Sequence, residues 1–176
     1  CKDAWTDHPD HTQEDEAYNE AEVQRAVQYA KQYPDIIKMI AVGNEAMVHW
    51  ATSYFVPPSV ILKWVNYLQE LKRKGDLPSD LWITSSDDFA AWGGASDNYH
   101  TEDLNRLIAA VDFVSMHTYA FHNSHYSPDY WYSRDPSLSK IEQIDASMQR
   151  AGEFAIGQYN DVKQYILSLG IDKPIH

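Results

Sequence analysis

Three short apolar runs, each passing directly into polar residues and each parted from the next by a helix-patterned stretch, constrain this chain more than any other feature. They cover residues 36–42, 81–84 and 111–116. Between the first two, Ile61, Trp64, Val65, Leu68 and Leu71 recur at helical spacing; between the second and third, Leu104, Leu107 and Ile108 do the same. Strands parted by helices of this length pair in parallel through crossovers, not as hairpins. The first run has Lys38 as its single charge, as suits a strand covered on both faces. The expected fold class is therefore α/β with a parallel sheet.

Local signals fix the element boundaries expected around these strands. Asn19 with Glu22 reads as an N-cap, followed by Val23, Ala26, Val27 and Ala30 on one face until Pro34 ends the pattern. Pro57-Pro58-Ser59 opens the next helix and Gly75 sits at its C-cap. Thr101 caps a short helix. Ser139 with Glu142 starts the last helical region, through Ile141, Ile144 and Met148, with Gly152 and Gly157 as expected breaks and Gly170 as its end. Residues 173–176 read as the opening of a fourth strand. Polar loops are expected over 85–98 and 121–137, the second long enough to suggest function.

Composition narrows the partners. With 14 basic against 26 acidic residues the formal charge is −12, which repels phosphate backbones, so nucleic acid is not an expected partner. No apolar run nears the roughly 20 residues that cross a bilayer, and no membrane partner is expected. A neutral ligand escapes the charge repulsion, and six Trp with twelve Tyr supply flat apolar faces of the kind that sugar rings stack on, although the same aromatics also fill cores. Cys1 is the only cysteine, so no internal disulfide or cysteine-rich zinc site is expected. It fits either a mature lipoprotein start or a chain cut within a domain, and the unfinished strand at 173–176 favours the second.

The chemistry is expected where the strands leave the sheet, because ligands of parallel α/β folds bind at the C-terminal edge. The exits are Gly43-Asn44-Glu45, Ser85-Ser86-Asp87-Asp88 and His117-Thr118-Tyr119. Glu45 follows an apolar strand, whose walls would disfavour its charge and raise its pKa, making it a proton donor to a glycosidic oxygen. A strand-end glutamate also serves as a salt-bridge partner or a cap, and the residues alone leave these roles open. Gly43 suits a tight turn or close approach to a ligand, and Asn44 offers an amide for a sugar hydroxyl.

The stretch Ile40-Ala41-Val42-Gly43-Asn44-Glu45 resembles the fourth-strand signature of glycoside hydrolase family 17, within clan A of barrel glycosidases. Val56-Pro57-Pro58 resembles the segment after that strand. Leu81-Trp82-Ile83-Thr84-Ser85-Ser86-Asp87 is similar to strand five, and Val111 through Tyr119 to strand six, in the expected order over most of the chain.

The resemblance implies an internal piece of a (β/α)8 TIM barrel, strands four to six with their helices and the threshold of strand seven, all 176 residues lying in one barrel domain. It implies hydrolysis or transfer of β-1,3-glucan linkages by a retaining mechanism, with Glu45 as acid/base. The nucleophile, a second glutamate after strand seven, is expected beyond His176, so the isolated chain is expected to be inactive. The resemblance carries Tyr119 over as a substrate contact; from the residues themselves Asn44, Asp87, Trp92 and His117 are further candidates, with Asp87 open to being an ordinary loop aspartate and Trp92 beside Gly93-Gly94 open to anchoring its loop. No cofactor or metal is implied, and an extracellular or periplasmic setting is favoured. Asp3-Ala4-Trp5 would fall shortly after strand three, and the Tyr- and His-rich loop after Tyr119 suits a bacterial relative rather than plant members.

Other constellations are weaker. His8 and His11 with Asp3, Asp7 and Asp10, or His122 with His125, contain metal-ligand types without diagnostic spacing. Asp87 or Asp88 with Glu45 would make an inverting pair at a separation of roughly 6.5–9.5 Å. The run Glu14-Asp15-Glu16 reads as a solvated face. Two alternatives stay open: a noncatalytic carbohydrate-binding module, and another clan A hydrolase acting on mannan, galactan or xylan. A partial barrel would also leave strand edges open to self-association.

Overall fold

The computed structural model describes residues 3–4, 10–50, 54–122 and 135–176. Strands β1 (Asp3–Ala4) and β2 (Asp10–Glu14) form an antiparallel ribbon, followed by helix α1 (Glu16–Gln32). Then come β3 (Met39–Asn44), α2 (Pro58–Lys74), β4 (Trp82–Asp88), a π-helical turn (Ala90–Gly94), a 3-10 turn (Asp97–Tyr99), α3 (Glu102–Ala110), β5 (Ser115–His117) and α4 (Lys140–Ser168).

β3, β4 and β5 make a parallel sheet in that order, as the alternation of patterns requires. The chain's last residues extend it. Val114 bridges Ile175 in parallel, and the His176 backbone N–H donates to the Val114 carbonyl at 2.9 Å. The expected fourth-strand opening is thus present as a single bridge.

Side-chain parity divides the sheet. Ile40, Val42 and Ile83 join Ile61, Val65, Leu68, Leu104 and Ile108 in one buried cluster beneath α2 and α3. The opposite parity holds Met39 and Trp82, exposed at 50% and 44%, while Thr84 and Phe113 on the same face are buried. Near the C-terminal edge the same face becomes polar, with Ser86, Asp88, Ser115 and His117 in register across β4 and β5. Burial of the first face is the main source of stability, at roughly 25 cal/mol per Å2 of apolar area removed from water.

Several expected boundaries move. The first strand begins at Met39, with Ile36 78% exposed, and β4 runs on through residues 85–88, which the sequence suggested as loop. Helix α1 starts at Glu16, with the Asp15 side chain accepting the Tyr18 N–H as its cap; Asn19 instead lies buried inside the helix. Glu14 is not a solvated residue. It accepts Nδ2–H of Asn19 and Nε1–H of Trp64, each at 2.9 Å, and pairs with Lys63, which pins the start of α1 to α2. Burial pushes the Glu14 pKa up, but these donors outweigh it and hold the group below its ordinary value.

The remaining caps follow the sequence. Gly75 closes α2 in the left-handed conformation, Thr101 accepts the Leu104 N–H, and Ser139 with Glu142 forms a reciprocal capping box. Gly152 and Gly157 do not break α4, which continues as one helix of 29 residues. Each glycine costs a helix about 1 kcal/mol relative to alanine, and burial of Ala151, Val162 and Ile166 along one side offsets that. Cys1, Trp5, Asp7, His8 and His125, with the stretch 123–134 of the long loop, lie outside the described residues.

Candidate active site at the C-terminal edge of the sheet

Glu45 reaches its position by two departures from regular strand geometry. Between Ala41 and Asn44 the register against β4 shifts by one, since Ala41 pairs with Thr84 but Asn44 with Ser86. Gly43 sits at the shift, and a Cβ there would lie 2.8 Å from Oγ of Ser85 and 3.1 Å from Cδ1 of Ile61. The close approach foreseen for Gly43 is therefore to the neighbouring strand and helix, not to a ligand. The positive φ belongs to Glu45 itself, at 45°, the one non-glycine residue in that region among those described. A left-handed conformation costs an ordinary residue about 1–2 kcal/mol and marks positions that surrounding structure holds in place.

What holds it is Asp87. This side chain is wholly buried, its Oδ2 accepting the Met47 N–H at 2.8 Å and its Oδ1 the Asp88 N–H at 2.9 Å, with a further backbone bond from Ala46. Burial pushes its pKa up to about 6 against these donors. Asp87 was expected to touch substrate; it instead faces inward and fastens the turn after Glu45. Of the two roles open to Trp92, sugar contact and loop anchor, the structure shows the second. It is 0% exposed, and its Nε1–H donates to the Ser115 carbonyl at 2.9 Å, so it anchors the π-helical turn.

That turn is shaped by Gly93, with φ of 88° and the Tyr165 ring where a Cβ would stand, 2.2 Å from Cδ1. Tyr165 stacks on His100 at 3.9 Å between ring centroids and donates to Asn105 at 2.6 Å, while His100 bonds the Gly93 carbonyl at 2.9 Å. The packing of α4 thereby fixes the wall beyond β4.

The Glu45 carboxylate meets Nδ1 of His117 at 2.8 Å and the hydroxyl of Tyr119. Burial was expected to raise its pKa, yet 35% of the side chain is exposed and the opposite holds. The Tyr119 hydroxyl, then His117, stabilise the charged form and hold Glu45 below its ordinary value. The same bond pushes Tyr119 up to about 12. Asp88 is nearly buried, and burial, with the nearby Glu45 charge, raises its pKa.

These groups border a cleft of about 860 Å3, large enough for a small oligosaccharide. Glu45, Asp88 and Tyr119 line it, together with Trp50, Phe89, Tyr99, His122 and Gln158. Asn44 is exposed at the strand end and is not part of that lining. His117 stands just behind, with both ring nitrogens engaged, Nε2 lying 2.6 Å from Oγ of Ser86.

Sequence reasoning missed Trp50, 64% exposed, and Gln158, which enters from the middle of α4 and bonds Thr118. A Trp five residues beyond Glu45, in the segment that follows the strand exit, was the available signal for the first; the second had none, since its place depends on how α4 crosses the sheet edge. Among the described residues no group of three or more His, Cys, Asp or Glu is placed to hold a metal ion, and no helix is long and apolar enough to cross a membrane.

A parallel sheet whose strand ends surround a carboxylate and an aromatic-lined cleft is the arrangement of α/β proteins, a class that takes its ligands at the C-terminal edge of the sheet. Compared with known proteins, the whole chain is similar to a solved endo-laminarinase from Formosa Hel1_33_131, at 57% identity and a TM-score of 0.93. The match covers 100% of this chain and 45% of that one, so the chain spans less than half the laminarinase's length. No family model and no curated protein matches it.

Proposed function

We propose that this chain is a stretch of a (β/α)8-barrel glycoside hydrolase of the family 17 type, carrying strands four to six and the threshold of strand seven. Its parent activity is hydrolysis of β-1,3-glucan linkages, with Glu45 as the acid/base. The observation that carries this reading is the Glu45 carboxylate, held at a strand's C-terminal end by Tyr119 and His117 and opening into an aromatic-lined cleft. The likeness to an endo-laminarinase supports β-1,3-glucan over other polysaccharides.

In the retaining mechanism a second carboxylate stands about 5–5.5 Å from the acid/base, attacks the anomeric carbon and forms a covalent glycosyl intermediate. Glu45 first protonates the departing glycosidic oxygen; it then takes a proton from the water that releases the sugar. A nearby like charge raises a carboxyl pKa, so an ionised nucleophile opposes the lowering by Tyr119 and His117 and keeps Glu45 protonated for the first step. Once the nucleophile is esterified that repulsion ends, and the two donors favour the carboxylate needed for the second. Trp50 and Tyr119 offer ring faces for sugars.

The test is laminarin hydrolysis by the full-length gene product and its Glu45→Gln variant, beside mannan, galactan and xylan. The reading requires turnover on laminarin that falls at least about 100-fold in the variant. Turnover that survives the substitution, or a preference for another polysaccharide, would overturn it.

A further inference from the structure

Behind Glu45 lies a row of hydroxyl and imidazole groups, of which the reaction above uses only His117, as a donor to the carboxylate. Oγ of Ser115 is 2.9 Å from Oγ of Ser86, which is 2.6 Å from Nε2 of His117, whose Nδ1 is 2.8 Å from Oε1 of Glu45. Ser86 and Ser115 are paired across β4 and β5, and His117 lies two residues further along β5 on the same face, so sheet register itself spaces the row.

The donor order follows from the carboxylate end. In the ionised form of Glu45, which its two donors favour, the carboxylate only accepts, so Nδ1 of His117 carries the hydrogen it offers. In the neutral ring Nε2 is then an acceptor, and the hydrogen in the 2.6 Å contact must come from Ser86. Ser86, having given its one hydrogen, accepts from Ser115. Each group donates toward Glu45, and no member is left with two donors facing each other.

We propose that Ser86, backed by Ser115, fixes His117 in its Nδ1–H tautomer and so makes His117 a positioning residue that aims and tunes the acid/base carboxylate. This rests on the assignment of Glu45 as the acid/base. The titratable groups facing the ring are Glu45 from the end of β3, Asp88 from β4 and Tyr119 from the segment after β5. Ser86→Ala leaves Nε2 without its donor and frees the ring to exchange tautomers and rotate. The Glu45 carboxylate then loses a fixed donor.

Two measurements test this, and they fail separately from the functional reading. Long-range proton–nitrogen NMR of the full-length gene product, at a pH on the alkaline limb where Glu45 is ionised and with the His117 signals assigned by their loss in His117→Gln, should show the Nδ1–H tautomer. Ser86→Ala should bring in the Nε2–H form, and Ser86→Thr, which keeps the hydroxyl, should restore the first pattern. An Nε2–H ring in the unaltered chain, or tautomers indifferent to Ser86→Ala, would overturn the proposal whatever the enzymology. In the full-length gene product, Ser86→Ala should lower kcat about tenfold with KM unchanged and move the alkaline limb of the kcat profile to higher pH; an unmoved limb also overturns it. Absence of glucan hydrolysis in the unaltered protein would sink the functional reading while leaving the tautomer result standing.

Discussion

The buried carboxylate of Asp87 accepts the backbone N–H of Met47 at 2.8 Å, so the turn after Glu45 is fastened by the next strand over, 40 residues away in sequence. Asp87→Ala would strand the N–H groups of Met47, Asp88 and Ala46 in a dry site, at about 1–3 kcal/mol for each group left unsatisfied. Urea unfolding should show a loss of at least about 2 kcal/mol in the midpoint-derived stability, with the m-value unchanged.

The same residue sets a pH dependence. Its folded pKa, about 6, lies above the ordinary 3.8, so between these values the folded chain holds a proton that the unfolded chain has released. Stability then falls as pH rises through that window, by about 3 kcal/mol for this group alone. Asp87→Asn should flatten the decline between about pH 4 and 6 in unfolding experiments, while lowering stability at the acid end through the acceptor it loses.

Asp112 acts with the opposite sign. Burial pushes its pKa up, but Lys72 at 2.7 Å, the Ile83 N–H at 2.7 Å and Gln69 outweigh this and hold it below its ordinary value. Its contribution is fully present above the unfolded carboxylate pKa and lost as pH falls through the lower folded one. Asp112→Asn should therefore cost stability at neutral pH and progressively less on acidification toward about pH 3, read from the same unfolding curves.

Gly93→Ala tests the wall beyond β4. The new methyl would meet the Tyr165 ring at 2.2 Å while the backbone stays at a φ of 88°, so both sterics and conformation oppose it. A loss of about 2–4 kcal/mol is expected, together with altered tryptophan fluorescence as the buried neighbour Trp92 shifts.

Trp50 is the cleft aromatic with most surface to offer. Trp50→Ala should weaken laminari-oligosaccharide binding, measured by calorimetry, by roughly 5- to 30-fold, which corresponds to about 1–2 kcal/mol of lost ring contact. Stability should barely change, since the side chain is 64% exposed.

The periodicity of residues 61–71 and 104–108 revealed α2 and α3, and the polar exits revealed which sheet edge carries Glu45 and Tyr119, because those signals are local. The roles of Asp87 and Trp92 were not legible. A polar residue after an apolar run looks the same whether it faces a ligand or three backbone N–H groups, and only the strand register decides. Glu45's pKa was read in the wrong direction for a related reason, since its two donors come from 72 and 74 residues away, by the numbering of His117 and Tyr119. The continuous α4 escaped because Gly152 and Gly157 look like local stops, while the packing that overrides them is tertiary.

At position 45 the demands of folding and of chemistry diverge. A glycine would take up the left-handed backbone there without strain, relieving about 1 kcal/mol, yet it would erase the proton carrier on which the proposed reaction depends. A lineage no longer under selection for catalysis should therefore drift to glycine or asparagine here first, leaving the sheet and its core untouched. The residue at this one site becomes a record of whether a descendant retains the proposed proton carrier.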